Sequence, residues 1–165
     1  MTYFITDGKI GYPVITDTSA TATVPVGTIV RAYDSTYGEG EFIYLLGVAS
    51  TAVGSVVTYN ALTYQTALAA VGTNKAQPVA IAMSANLATK YGWYQISGVA
   101  VVKKTCTVSL AANAAVGVLT IGLIAGTGSG KEVQGALVAV VASATAGRTT
   151  VSVVMNRPHM QGRVT

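Results

Sequence analysis

The sequence predicts an all-β fold, a small β-barrel or β-sandwich of about eight short strands with an extended N-terminal arm, and three observations predict it. Hydrophobic periodicity is mostly two-residue or continuous, and the runs are rich in Val, Ile, Thr and Tyr, the residue types that suit a pleated, half-buried surface. Glycines fall between or inside these runs, at Gly38, Gly47, Gly54, Gly92, Gly98 and Gly147, where they supply turns and bulges. Helical patterning is confined to residues 66–71 and 84–91, each about two turns at most.

Taken in order, residues 1–22 read as an extended arm. Tyr3-Phe4-Ile5 is a compact apolar anchor, and residues 16–23 are a polar, small-residue run without periodicity, a composition that orders against a partner rather than by itself. The single β-domain spans 23–165, with strands expected at 23–33, 41–49, 55–59, 78–84, 93–103, 105–110, 133–142 and 149–157. In the 84–91 segment Ser84 is the candidate N-cap and Tyr91-Gly92 the stop. Residues 126–130, Gly-Thr-Gly-Ser-Gly, read as a flexible hairpin loop between two strands, and a tail follows from Pro158.

A 165-residue chain fits one domain, which at this size buries roughly 70% of its unfolded surface. Only 10% of residues are charged and 51% are hydrophobic, against roughly 25% charged in ordinary soluble domains. So sparse a charge leaves apolar patches poorly separated from a neighbour's, which points to a permanent partner. That partner is not a membrane: the most apolar runs, 116–125 and 136–142, fall short of the roughly 20 residues of a spanning helix. The first seven residues lack the basic and apolar regions of a signal peptide.

Charge is also unevenly placed. Residues 1–41 hold five acidic groups against Lys9 and Arg31, a net −3, and the remainder holds eight basic groups against Glu132, a net +7. Such polarity steers association between an acidic arm and a basic body. Nucleic acid is not the expected partner, because apart from Lys103-Lys104 the basic residues are scattered singly.

The chemistry of catalysis is missing from the sequence. No catalytic, cofactor-binding or metal-ligating residues are identified, and no cofactor is expected. His159 is the only histidine and sits beside Pro158; Cys106 is the only cysteine and lies among strand-forming residues as a small hydrophobe. These two and six separated carboxylates offer no metal-ligand spacing. The Gly126–Gly130 run fails as a P-loop, since Ala125 stands at its first position and Glu132 replaces the hydroxyl that would meet Mg²⁺. Tyr91, Trp93 and Tyr94 invite a carbohydrate-stacking reading. The stronger reading is alternation on one strand, with Trp93 and Gln95 on one face, Tyr94 and Ile96 on the other, and one face packed in the core.

Four blocks, residues 38–51, 54–60, 78–86 and 91–100, resemble in order and spacing a recurrent pattern in the capsid decoration, or cement, proteins of tailed bacteriophages. The resemblance covers about residues 38–104. It implies a non-enzymatic protein of the virion exterior, present in the host cytoplasm during assembly, that clamps neighbouring major capsid proteins, commonly as a homotrimer, with an N-terminal arm ordering on the shell. Tyr3, Phe4, Ile5, Asp7 and Asp17 are then the candidate contacts to capsid or sister subunit, and removal of residues 1–22 is expected to weaken binding while leaving the fold intact. Two alternatives stand beside it: another virion component such as a head fibre base or tail protein, and a carbohydrate-binding β-domain.

Overall fold

The alternating pattern resolves into twelve strands, every pairing between them antiparallel, with no helix among the described residues. The computed structural model describes residues 1–7, 11–72, 76–105, 107–144 and 149–162. The first six strands are β1 (Phe4–Ile5), β2 (Thr18–Ser19), β3 (Ile29–Asp34), β4 (Gly38–Leu46), β5 (Val56–Tyr59) and β6 (Thr66–Leu68). The rest are β7 (Val79–Ala82), β8 (Tyr91–Lys103), β9 (Ala115–Thr120), β10 (Leu123–Gly126), β11 (Glu132–Val138) and β12 (Thr150–Met160). Hydrogen-bonded neighbours run β1-β3-β4-β8-β12-β11-β9-β10; β2 and β7 also pair with β8, and β5 lies between β6 and β7.

β8 organises the domain. Side chains alternate across a strand, and over its 13 residues β8 reaches three apolar clusters. Trp93 packs with Phe42 and Tyr44, and with the buried N-terminal residues Tyr3 and Ile15. Tyr94 and Ile96 point the other way, toward Leu45, Val57 and Ala80. Further along, Ala100 and Val102 join Val116, Val133 and Val153. The expectation that one face of the 93–96 stretch is core is therefore corrected: both faces are, because the N-terminal strip covers one side and β5 with β7 the other.

Both expected helices are absent. Residues 66–68 form β6 against β5, and the buried Thr66 donates its hydroxyl to Leu46 O at 2.9 Å. In the 84–91 segment Asn86 is drawn inward to donate to the Tyr94 hydroxyl at 3.0 Å, and Thr89 takes a φ of 66°, a left-handed conformation that no helix continues through. Where a strand is expected at 105–110, the described residues form none: Thr107 lies in a turn and Leu110 makes one bridge, to Ala142. The carbonyls of Thr105 and Val108 instead accept from the ammonium of the buried Lys104. Cys106 lies outside the described residues.

Strands β9 and β10 come from the 116–125 run that the sequence offers only as an apolar stretch. They form a hairpin about Ile121-Gly122, with Gly122 at φ 70°. The glycine loop after β10 is no hairpin turn, since β10 and β11 lie on opposite edges of β9. The expected tail from residue 158 also gives way: β12 continues through Pro158 to Met160, and Pro78 bridges to His159. Proline is tolerated there because a bulge interrupts the pairing between Gln134 and Ala136 of β11.

Candidate interaction surfaces

The N-terminal anchor is seated on its own domain. Tyr3 is 4% exposed and Ile15 1% exposed; the Tyr3 ring meets Phe42 edge-on at 4.8 Å, and Trp93 Nε1 donates to Pro13 O at 3.1 Å. Ile5 is partly buried against the same cluster. Asp7 accepts from the Arg31 backbone N–H at 2.9 Å. Of the five expected contact residues, Phe4 and Asp17 remain exposed. The acidic N-terminal segment is thus largely answered within the chain, and the same is true of the buried Asp34. Burial pushes its carboxyl up, but N–H donors from Thr36, Thr2 and Tyr37 outweigh that and hold it below the ordinary value.

The Tyr3 hydroxyl donates to Val99 O at 3.0 Å, and burial pushes the phenol up to about 12, with the Gln95 hydrogen bond offsetting part of that. An unfolded phenol titrates near ~10, so the folded state holds the proton more tightly. Stability is fully present below that value and falls as pH rises toward the folded one. Urea unfolding is expected to show a loss of about 1 kcal/mol between about pH 8 and about pH 11 from this group. Burial raises Tyr94 and Tyr59 in the same direction, so Tyr3→Phe should shrink the alkaline loss without abolishing it; an unaltered slope in Tyr3→Phe would count against the assignment.

Two features on the outside of the sheet remain open. The first is apolar. Ala100, Val102, Val151, Val153 and Val138 point into the core, so their strand neighbours Val99, Val101, Ser152, Val154 and Leu137 face outward. Leu137, Val154 and Val99 stand side by side in register across β11, β12 and β8, and Ser152 lies opposite Val101. Leu137 and Val154 are each 39% exposed. At the rim, Val140 and Val141 are more exposed still, and with Tyr37 and Val101 they border a shallow depression of about 260 Å³.

The second feature is polar and lies beside the first on the same strands, two residues along from Val99 and Val154. Arg31, Glu41, Ser97 and Asn156 are cross-strand partners in one row over β3, β4, β8 and β12. Glu41 is held from two sides, by Arg157 Nε at 3.0 Å and Arg31 Nε at 3.8 Å. Bulges shape this corner. The pairing of β4 with β8 shifts at Glu41, Gly98 adopts φ 92°, and Arg157 sits at φ 43°. The buried Gln95 amide donates to Ser97 O and Val99 O, both at 3.1 Å, satisfying carbonyls that the bulge turns inward. Arg31, Glu39, Gly40, Glu41, Ser97, Asn156 and Arg157 line an open, shallow cleft of about 430 Å³.

None of these residues is a sequence-level candidate. The signals available were faint: Asn156-Arg157-Pro158 interrupting a strand, and Gly38-Glu-Gly-Glu41 entering one. Of the three rings in the carbohydrate-stacking reading, Trp93 and Tyr94 are 0% exposed and closed to a ligand, and Tyr91 is half-buried. Among the described residues no group of three or more His, Cys, Asp or Glu side chains could hold a metal ion, and no helix is long and apolar enough to cross a membrane. His159 is exposed on β12. Comparison with protein-family models, with curated proteins and with solved structures found no match to this chain.

Proposed function

We propose that the protein is a structural, non-enzymatic component of a tailed-phage virion that docks on the outside of the capsid and bridges major capsid proteins. The observation that carries this reading is the open apolar face of β8, β12 and β11, with Val99, Val154 and Leu137 in one row. It occurs in a chain with only 10% charged residues. An apolar sheet face of this kind gains roughly 25 cal/mol per Å² removed from water, less the cost of association. Several copies on one lattice, or a homotrimer presenting three, then multiply a modest contact. The resemblance of residues 38–104 to decoration proteins supports the choice of a capsid as the surface.

With the anchor of the N-terminal strip buried on its own domain, docking is assigned to the sheet face, with Phe4 and Asp17 as peripheral contacts. The test is co-sedimentation with expanded, empty phage heads stripped of their own decoration protein. The intact protein is expected to pellet with the heads, and the double variant Leu137→Lys, Val154→Lys to remain in the supernatant. Both positions are partly exposed, so stability should change by only about 0.5 kcal/mol per site. Pelleting of the double variant at the wild-type level would remove this face from the proposal; failure of the intact protein on every head would remove the capsid.

A further inference from the structure

We infer that the cleft at Glu41 is a binding site for a neutral, polyhydroxylated ligand, an uncharged oligosaccharide. The cleft is about 430 Å³ and open to solvent, which suits a ligand that lies along the surface rather than one enclosed by it. The lining side chains are Arg31, Glu39, Glu41, Ser97, Asn156 and Arg157. Two guanidinium groups and two carboxylates cancel in charge, so the cleft attracts neither anions nor cations strongly. What it offers is a dense array of planar donors and acceptors, two arginine forks, two carboxylates and an amide, beside a hydroxyl. Adjacent hydroxyls on a sugar ring, each donor and acceptor together, match such planar groups two at a time.

Glu41 is the centre of the array. Arg31 approaches one of its oxygens and Arg157 the other, both through Nε. The Arg157 hydrogen bond orients the carboxylate before any ligand arrives, with the Arg31 guanidinium close by but beyond hydrogen-bond reach. The arginine side chains remain 65% and 60% exposed, so their terminal nitrogens can donate to a ligand. Arg157 reaches this position because the β12 bulge holds it at φ 43°, a conformation that ordinary side chains adopt rarely and that concentrates at functional sites.

An apolar ledge adjoins the cleft. Tyr33 lies opposite Glu39 on β4 and opposite Phe4 on β1, and the two rings are 48% and 68% exposed. Exposed aromatic faces beside a planar polar array provide for the two sides of a sugar, its C–H face and its hydroxyl edge. An apolar ligand would find a charged floor, and a polyanion would meet Glu39 and Glu41.

The experiment is a titration of the intact, isotopically labelled protein, followed by amide NMR, with cello-, malto-, chito- and mannohexaose to their solubility limits. Saturable shifts are expected at Gly40, Ser97 and Asn156 with at least one of them. Glu41→Gln and Asn156→Ala should each weaken binding about tenfold or more, and Tyr33→Ala should weaken it too, with dispersed native spectra retained in all three. No saturable shift with any neutral hexasaccharide overturns the inference. So does binding indifferent to all three substitutions, or binding confined to polygalacturonate and abolished by salt, which would make the cleft an anion site.

Discussion

Deleting residues 1–17 is expected to leave the protein largely unfolded. Truncating a buried aromatic side chain costs about 3–5 kcal/mol and a buried isoleucine about 2–5 kcal/mol. Tyr3 and Ile15 are 4% and 1% exposed, and their removal also uncovers Trp93, whose indole N–H loses its bond to Pro13 O. The combined loss rivals the whole stability of an ordinary domain, about 5–15 kcal/mol. Circular dichroism during urea titration of the truncated and full chains measures it. A truncated chain with the full chain's unfolding midpoint would show that the strip is a dispensable arm, as its composition alone suggests. Tyr3→Ala isolates the largest part, with an expected loss of about 3–5 kcal/mol.

Gly98→Ala carries the second large effect. Gly98 has φ 92°, and an added Cβ would collide with Glu39 O and lie 3.0 Å from Gly40 Cα. Both are backbone atoms of β4 and cannot swing aside. The left-handed conformation costs an L-residue about 1–2 kcal/mol and overpacking about 1–3 kcal/mol more, so a loss of about 3 kcal/mol is expected. The same corner holds Glu41 and Ser97, so the variant should disturb the polar cleft as well as the fold. Gly126→Ala is the control, because its Cβ would meet nothing within 4 Å and its φ is not in the left-handed range. Equal midpoints for the two variants would mean that β8 does not need its glycine.

Local patterning located β5, β7 and β8 best, expected at 55–59, 78–84 and 93–103 and found at Val56–Tyr59, Val79–Ala82 and Tyr91–Lys103, because continuous apolar runs mark strands covered on both faces. β3 alternates residue by residue, with Val30, Ala32 and Asp34 inside, yet it begins six residues later than the expected 23–33. Patterning failed where a tertiary contact overrode it. Asn86 sits in a segment with helical spacing and a serine cap, yet its amide serves the Tyr94 hydroxyl. Residues 105–110 have strand composition, yet their carbonyls serve Lys104. Alternation over Trp93 to Ile96 places one face in the core, and only the two covering layers on opposite sides of β8 reveal that both faces are.

Periodicity and composition by themselves determined that the chain folds as β-sheet and that it is poor in charge. Those properties are local, written in neighbouring residues. Only the tertiary structure decided that the N-terminal anchor lies on its own domain, and that Arg31, Glu41, Ser97 and Asn156 form one row. Glu41 and Arg157 are 116 residues apart, and what joins them is strand order, register and two bulges. Pairing between distant strands depends on the whole set of competing registers, and no window of the sequence contains that information.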